Sequence, residues 1–207
     1  MASMRKSFAS AACLLLVACT TLAATLTPDE ARRVSDFGMD AKIASQLKAE
    51  GTSLERLGSD GLVIEASPGT GDDMLDQVRL QLHGTPFRAY LNDRNYGYGP
   101  DKIAIVRTDD LGYLAIARTD GVNRDVTHAQ VIERYKAWDA KYGLVLVGAG
   151  QDWLEAKFRT PPGDWKAFAE EVAKFCPDVV DKGTGSVEGL AKEMAESNSV
   201  YLWWESP

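Results

Sequence analysis

Val131, Tyr135, Trp138 and Tyr142 recur at steps of four, three and four, which places all four side chains on one face of a helix. A stripe that large and apolar has to be covered, so the chain must build a layer beside it. Thr127 and Gln130 match a capping box at its start, and Gly143 stops it. Leu144-Val145-Leu146-Val147 follows at once as a strand. Trp153-Leu154-Glu155-Ala156-Lys157-Phe158 alternates apolar and polar residues, as a half-exposed strand does, after the turn Gly148-Ala149-Gly150-Gln151-Asp152. Asp164 then caps a helix with Trp165, Phe168, Val172 and Phe175 on one face. Pro177 forces Cys176 out of helical geometry and ends that helix. A shorter helix carries Val187, Leu190, Ala191 and Met194, and residues 200–204 read as a last strand.

Upstream, Thr27-Pro28-Asp29-Glu30 is a strong helix start, leading into a helical region towards Lys48 that weakens at Gly38. Its apolar face (Ala31, Val34, Ile43, Leu47) is thin and reads as an extension or spacer. Leu62-Val63-Ile64-Glu65-Ala66 is a strand, and Ser67-Pro68-Gly69-Thr70-Gly71 breaks the chain before a helix with Met74, Leu75, Val78 and Leu82. Residues 87–91 are extended, and 92–100 form a loop holding Tyr96 and Tyr98. Ile103-Ala104-Ile105-Val106 and Tyr113-Leu114-Ala115-Ile116 read as two arms of a hairpin turning at 109–112. The order β-α-β, β-β, α, β-β, α-α, β predicts an α+β fold, a mainly antiparallel sheet with helices packed on one face. Residues 19–57 are the extension and 58–207 a single domain.

Residues 1–18 read differently. Arg5 and Lys6 precede an uncharged apolar run, 8–18, too short to cross a bilayer core of ~30 Å as a helix. It ends Leu16-Val17-Ala18-Cys19, which resembles the bacterial lipobox. The resemblance implies a signal peptide cut before Cys19, diacylglycerol on its sulfur and acylation of the new amino group. The other reading is an ordinary signal cut near Ala23 or Ala24. Thr20 is not the Asp of inner-membrane retention, so the expected address is the periplasmic side of the outer membrane in a Gram-negative cell, or the cell surface otherwise. Removing residues 1–18 leaves 21 basic against 30 acidic residues, a net charge of −9. An acidic chain repels phosphate backbones, which argues against nucleic acid and for a partner with a basic surface. Cys13 leaves with the signal and Cys19 takes the lipid, so Cys176 has no partner for a disulfide and stability must come from the core.

Thr119-Asp120-Gly121-Val122-Asn123, Trp138-Asp139, Lys141-Tyr142-Gly143, Gly148-Ala149-Gly150 with Asp152-Trp153, Phe175-Cys176-Pro177-Asp178, Gly183-Thr184-Gly185 and Leu202-Trp203-Trp204 occur in the order found in the bacterial DUF4253 family, which residues 102–205 resemble. The family carries no assigned activity, so the resemblance implies a fold and no catalytic residues. Where the family ends Trp-Trp-Asp, this chain has Glu205.

Cys176 invites a nucleophile reading, but it falls at a helix C-terminus, where the dipole disfavours a thiolate, and reads as an inert core thiol. His83 and His128 give neither a triad nor a metal spacing. Gly69-Thr70-Gly71 and Gly183-Thr184-Gly185-Ser186 lack the Lys of a P-loop, and Asp72-Asp73 stand where a phosphate would go. The carboxylate pairs Asp152/Glu155, Asp178/Asp181 and Asp120/Asp125 could hold a cation or share a proton. The candidate binding set is therefore Asp120, Asn123, Asp152, Trp153, Asp178 and Trp204, with Cys19 for the lipid and no catalytic residue, metal or cofactor expected. The leading expectation is a non-enzymatic protein-binding lipoprotein of inhibitor or immunity type. An envelope-directed hydrolase using the loop carboxylates and a structural envelope lipoprotein are the alternatives.

Overall fold

The computed structural model describes residues 24–51 and 53–205; Cys19 and the signal segment lie outside them. Seven strands form one sheet in the order β1-β2-β4-β3-β5-β6-β7. They are β1 (Leu54–Leu57), β2 (Gly61–Glu65), β3 (Arg88–Asp93), β4 (Lys102–Val106), β5 (Leu144–Ala149), β6 (Trp153–Phe158) and β7 (Ser199–Trp203). Every neighbouring pair is antiparallel except β3 with β5. The α+β class and the mainly antiparallel sheet thus follow the sequence pattern.

The helices do not all lie on one face. Strand residues alternate between two cores: in β4, Ile103 and Ile105 enter one while Ala104 and Val106 enter the other. The first core is covered by α1 (Pro28–Phe37), α2 (Ala41–Glu50) and α3 (Gly71–Gln81). The second is covered by α4 (Asp110–Ala117), α5 (His128–Tyr142), α6 (Trp165–Phe175) and α7 (Val187–Ser197). A sheet with apolar residues on both sides needs two helical layers, and the all-apolar runs of β2 and β4 are the trace of that in the sequence.

The N-terminal helices are correspondingly more than a spacer. Val34, Met39, Ala44 and Leu47 are buried in the same core as Leu62 and Ile64. Gly38, left-handed at φ 68°, separates α1 from α2, and the Thr27/Glu30 capping box forms. Lys48 of α2 donates to Glu30 at 2.6 Å and ties the two helices together.

Tyr113-Leu114-Ala115-Ile116 belongs to α4 and not to a hairpin. The Asp109 carboxylate accepts from the Gly112 amide at 2.9 Å and caps the helix, and Arg118 ends it in the left-handed region. Tyr113 and Leu114 are adjacent and both fully buried in the second core, which a strand would have split between two faces. In α5 the whole predicted stripe is buried. One π-helical turn at Val179–Thr184 joins α6 to α7.

The sheet has a seam. β3 and β5 share a single register pair, Leu91 with Gly148. A Cβ on Gly148 would stand 2.3 Å from the Leu91 carbonyl oxygen, so glycine is what lets the strands meet there. Beyond that pair, side chains replace the ladder. Arg79 of α3 donates to Ala89 O of β3 at 3.1 Å and to Leu146 O of β5 at 2.7 Å. Asp110 accepts from the Leu146 amide at 2.9 Å and from the Tyr90 and Tyr135 hydroxyls, each at 2.8 Å.

Candidate functional site

β3 and β5 run parallel, so the loops that leave them emerge at the same end of the sheet, together with the turn into β6 and the segment after β7. The loop 118–126 joins them there through backbone and side-chain bonds: Asp120 N donates to Gln151 O at 2.8 Å, and Thr119 Oγ1 to Gly150 O at 2.6 Å. His128 donates through Nδ1 to Thr119 O at 3.0 Å, so it braces this loop instead of standing exposed.

Five of the six sequence-derived candidates line two adjoining clefts at this end. Asp120, Asn123, Asp152 and Trp204 line one of about 310 Å³. Asp152, Trp153 and Trp204 line the other, of about 340 Å³, with Arg94, Tyr96 and Tyr201. Asp152 and Trp204 belong to both walls.

Asp178, the sixth, lies beneath the surface, fully buried. It accepts from Arg124 Nε at 2.8 Å and from a second nitrogen of the same guanidinium, while its other oxygen accepts from the Glu205 amide at 3.0 Å. Burial alone would raise its pKa, but Arg124, the Glu205 amide and the Asn123 side chain outweigh it and hold the carboxyl below its ordinary range. Asp181 also approaches Arg124, at 3.5 Å. The Asp178/Asp181 pair therefore does meet a cation, one that the protein itself supplies. Its effect is to pin loop 118–126 to the C-terminal segment.

Trp204 closes the same knot. Its amide donates to Asp152 O at 2.8 Å, and its side chain is 1% exposed. The indole lies so close to Gly121 that a Cβ there would be 2.5 Å from its ring. Its Nε1 is buried without an acceptor. Trp153 is buried as well and stacks on Tyr201 at 6.0 Å between ring centroids. On this geometry both tryptophans serve as walls and supports, while the carboxylates and Asn123 form the polar lining.

Arg94 and Tyr201 escape a sequence reading, and nothing in the sequence joins Asp72, Glu155 and Tyr96 to them. Arg94 makes two bonds of 2.9 Å to Asp72 and one of 2.8 Å to Glu155. Burial pushes the Glu155 carboxyl up despite this partner. The Tyr96 and Tyr201 hydroxyls meet at 2.5 Å. The available signals were the Asp152/Glu155 pair and the aromatic content of loop 92–100. From that loop Tyr96 and Tyr98 project, 63% and 97% exposed, and Val122 on the wall of the neighbouring cleft is 66% exposed.

Cys176 is a free, fully buried thiol that donates to Trp203 O at 3.0 Å, and burial raises its pKa to about 12. It is a core residue. Among the described residues, no group of three His, Cys, Asp or Glu side chains could hold a metal ion, and no helix is long and apolar enough to cross a membrane.

Compared with family models, residues 102–205 match the domain of unknown function DUF4253. No curated protein and no solved structure matches the chain.

Proposed function

Because the chain belongs to the DUF4253 family, whose description assigns no activity, we propose its role from the loop end of the sheet: a lipid-tethered, periplasm-facing module that binds another exported protein through a basic surface, in the manner of an inhibitor or immunity protein. The observation that carries this reading is the pair of exposed tyrosines, Tyr96 and Tyr98, beside clefts lined by Asp120 and Asp152. Aromatic side chains presented on a rigid frame supply most of the energy of protein interfaces. Tyr96 is held before any partner arrives, by the Tyr201 hydroxyl and by the Arg94 guanidinium at 5.9 Å from its ring, which lowers the ordering cost of binding. Carboxylates on the cleft walls and a net charge of −9 once residues 1–18 are removed favour lysine and arginine on the partner.

The test is affinity capture from the cell envelope with the intact protein. A stoichiometric, salt-sensitive complex is expected, weakened at least ~10-fold by Tyr98→Ala, as for an interface anchor. Recovery of no partner, or equal capture by the variant, would overturn the reading. Cys19→Ala should shift the protein out of the membrane fraction. The hydrolase alternative draws on the shared cleft of Asp120, Asn123 and Asp152. Against it, the buried carboxylate Asp178 is committed to Arg124. Were the alternative correct, Asp120→Asn would abolish turnover of envelope material.

A further inference from the structure

The seam opens at the opposite end of the sheet from the loops, near the starts of β3 and β5, into a cavity of about 530 Å³. Its charged lining is mostly cationic: Arg79, Arg88 and Arg159, with His83, face one carboxylate, Asp110. Asp110 is already committed to two tyrosine hydroxyls and a backbone amide. Arg79 uses Nε and Nη2 on carbonyls of the two strands, which leaves Nη1 over. Arg88 donates only through Nη1, to the carbonyls of Thr85 and Phe87. The Arg159 amide donates to Gly143 O at 2.9 Å, but its guanidinium makes no hydrogen bond or ion pair among the described residues.

Of the other arginines among the described residues, five are matched with carboxylates, while Arg33, Arg107 and Arg118 are not. Arg32, Arg56, Arg94, Arg124 and Arg134 each form an ion pair. The three around the cavity form none. Burial also lowers the Arg79 pKa, outweighing the pull of Asp110 and Asp76 nearby, the mark of a guanidinium short of solvent. Beside these donors the lining includes Leu82, Phe87 and the ring of Tyr90. Size, apolar walls and a few convergent donors are the attributes of a small-molecule site.

We propose that this cavity binds a small anionic molecule, its carboxylate or phosphate held by Arg88, Arg159 and the spare nitrogen of Arg79, and its apolar body against Tyr90 and Phe87. Guanidinium groups suit both headgroups, because their planar N–H pairs match two oxygens at once.

Isothermal titration calorimetry of the full chain with phenyl phosphate, benzoate and inorganic phosphate tests this. Saturable one-to-one binding of at least one aryl anion is expected, tighter than that of inorganic phosphate and weakening as salt rises. Arg88→Ala and Arg159→Ala should each weaken it roughly tenfold, the loss of one charge-assisted contact, and Arg159→Lys less. Both side chains are exposed, so the fold should survive, whereas Arg79 staples two strands and is left intact. Tighter binding of phenyl phosphate than of benzoate assigns a phosphate headgroup; the reverse assigns a carboxylate. No saturable binding of any of the three, inorganic phosphate binding as tightly as the aryl anions, or affinities unchanged in both alanine variants would overturn the proposal. Tyr98→Ala should leave anion binding as it is, so this site and the protein-binding surface stand or fall separately.

Discussion

Asp178 and Glu30 sit in different layers of the fold, yet each carboxylate is held by one cation and one backbone amide. Asp178 has Arg124 and the Glu205 amide. Glu30 has Lys48 at 2.6 Å and the Thr27 amide at 2.7 Å. In both, burial alone would raise the pKa and the partners reverse it, to about 2 for Glu30 and to below the ordinary range for Asp178. A carboxyl whose pKa is lower in the folded than in the unfolded chain adds stability above its unfolded pKa and loses it as pH falls through the folded value. Urea midpoints should therefore drop between about pH 4.5 and pH 2. The double variant Asp178→Asn, Glu30→Gln should start from a lower midpoint at neutral pH and fall less steeply with acid. Asp178→Asn alone should cost about 2 kcal/mol, the scale of hydrogen bonds to a buried charged group. An unchanged acid slope in the double variant would show that other groups govern it.

At the scale of elements, most of the fold was legible because local signals and global packing agree. Both capping boxes form where Thr27/Glu30 and Thr127/Gln130 place them, and the helix-stop reading of Cys176-Pro177 holds. α4 was not legible. Tyr113-Leu114-Ala115-Ile116 is apolar on every side, so neither period shows, and the Asp109 cap that decides the matter looks like an ordinary turn residue. Nor could a linear reading find Arg79 or Asp110, since nothing in the chain says which charge will be drawn into a sheet to serve backbone groups of separated strands. The candidate site fared similarly. Its loop carboxylates were found by motif, but the role of Asp178 depends on Arg124, which only the fold brings alongside. The seam itself is open to test through Gly148→Ala. The added methyl meets the Leu91 carbonyl at the one point where the half-sheets bond, and overpacking of this kind costs about 1–3 kcal/mol. Thermal unfolding followed by circular dichroism should show a loss of that size, and wild-type stability would mean that the side-chain staples alone carry the join.

The family match begins at residue 102, but the molecule does not divide there. β4, the first matched strand, lies between β2 and β3, both upstream of the match. A fragment of residues 102–205 would leave β4 without either neighbour and remove α1 to α3 from the first core. Such a fragment should be unfolded or aggregated, with collapsed amide dispersion in a ¹H–¹⁵N correlation spectrum, where residues 24–205 give a dispersed one. The seam has a further consequence, one of inheritance. A ladder of backbone hydrogen bonds persists through nearly every substitution, because each residue except proline supplies the same donor and acceptor. A join made by Arg79, Asp110 and Gly148 has no such insurance: single codon changes act on it directly. Drift across the rest of the sheet alters only how well its residues pack, whereas drift at these three positions alters how the two halves of the sheet are set against each other.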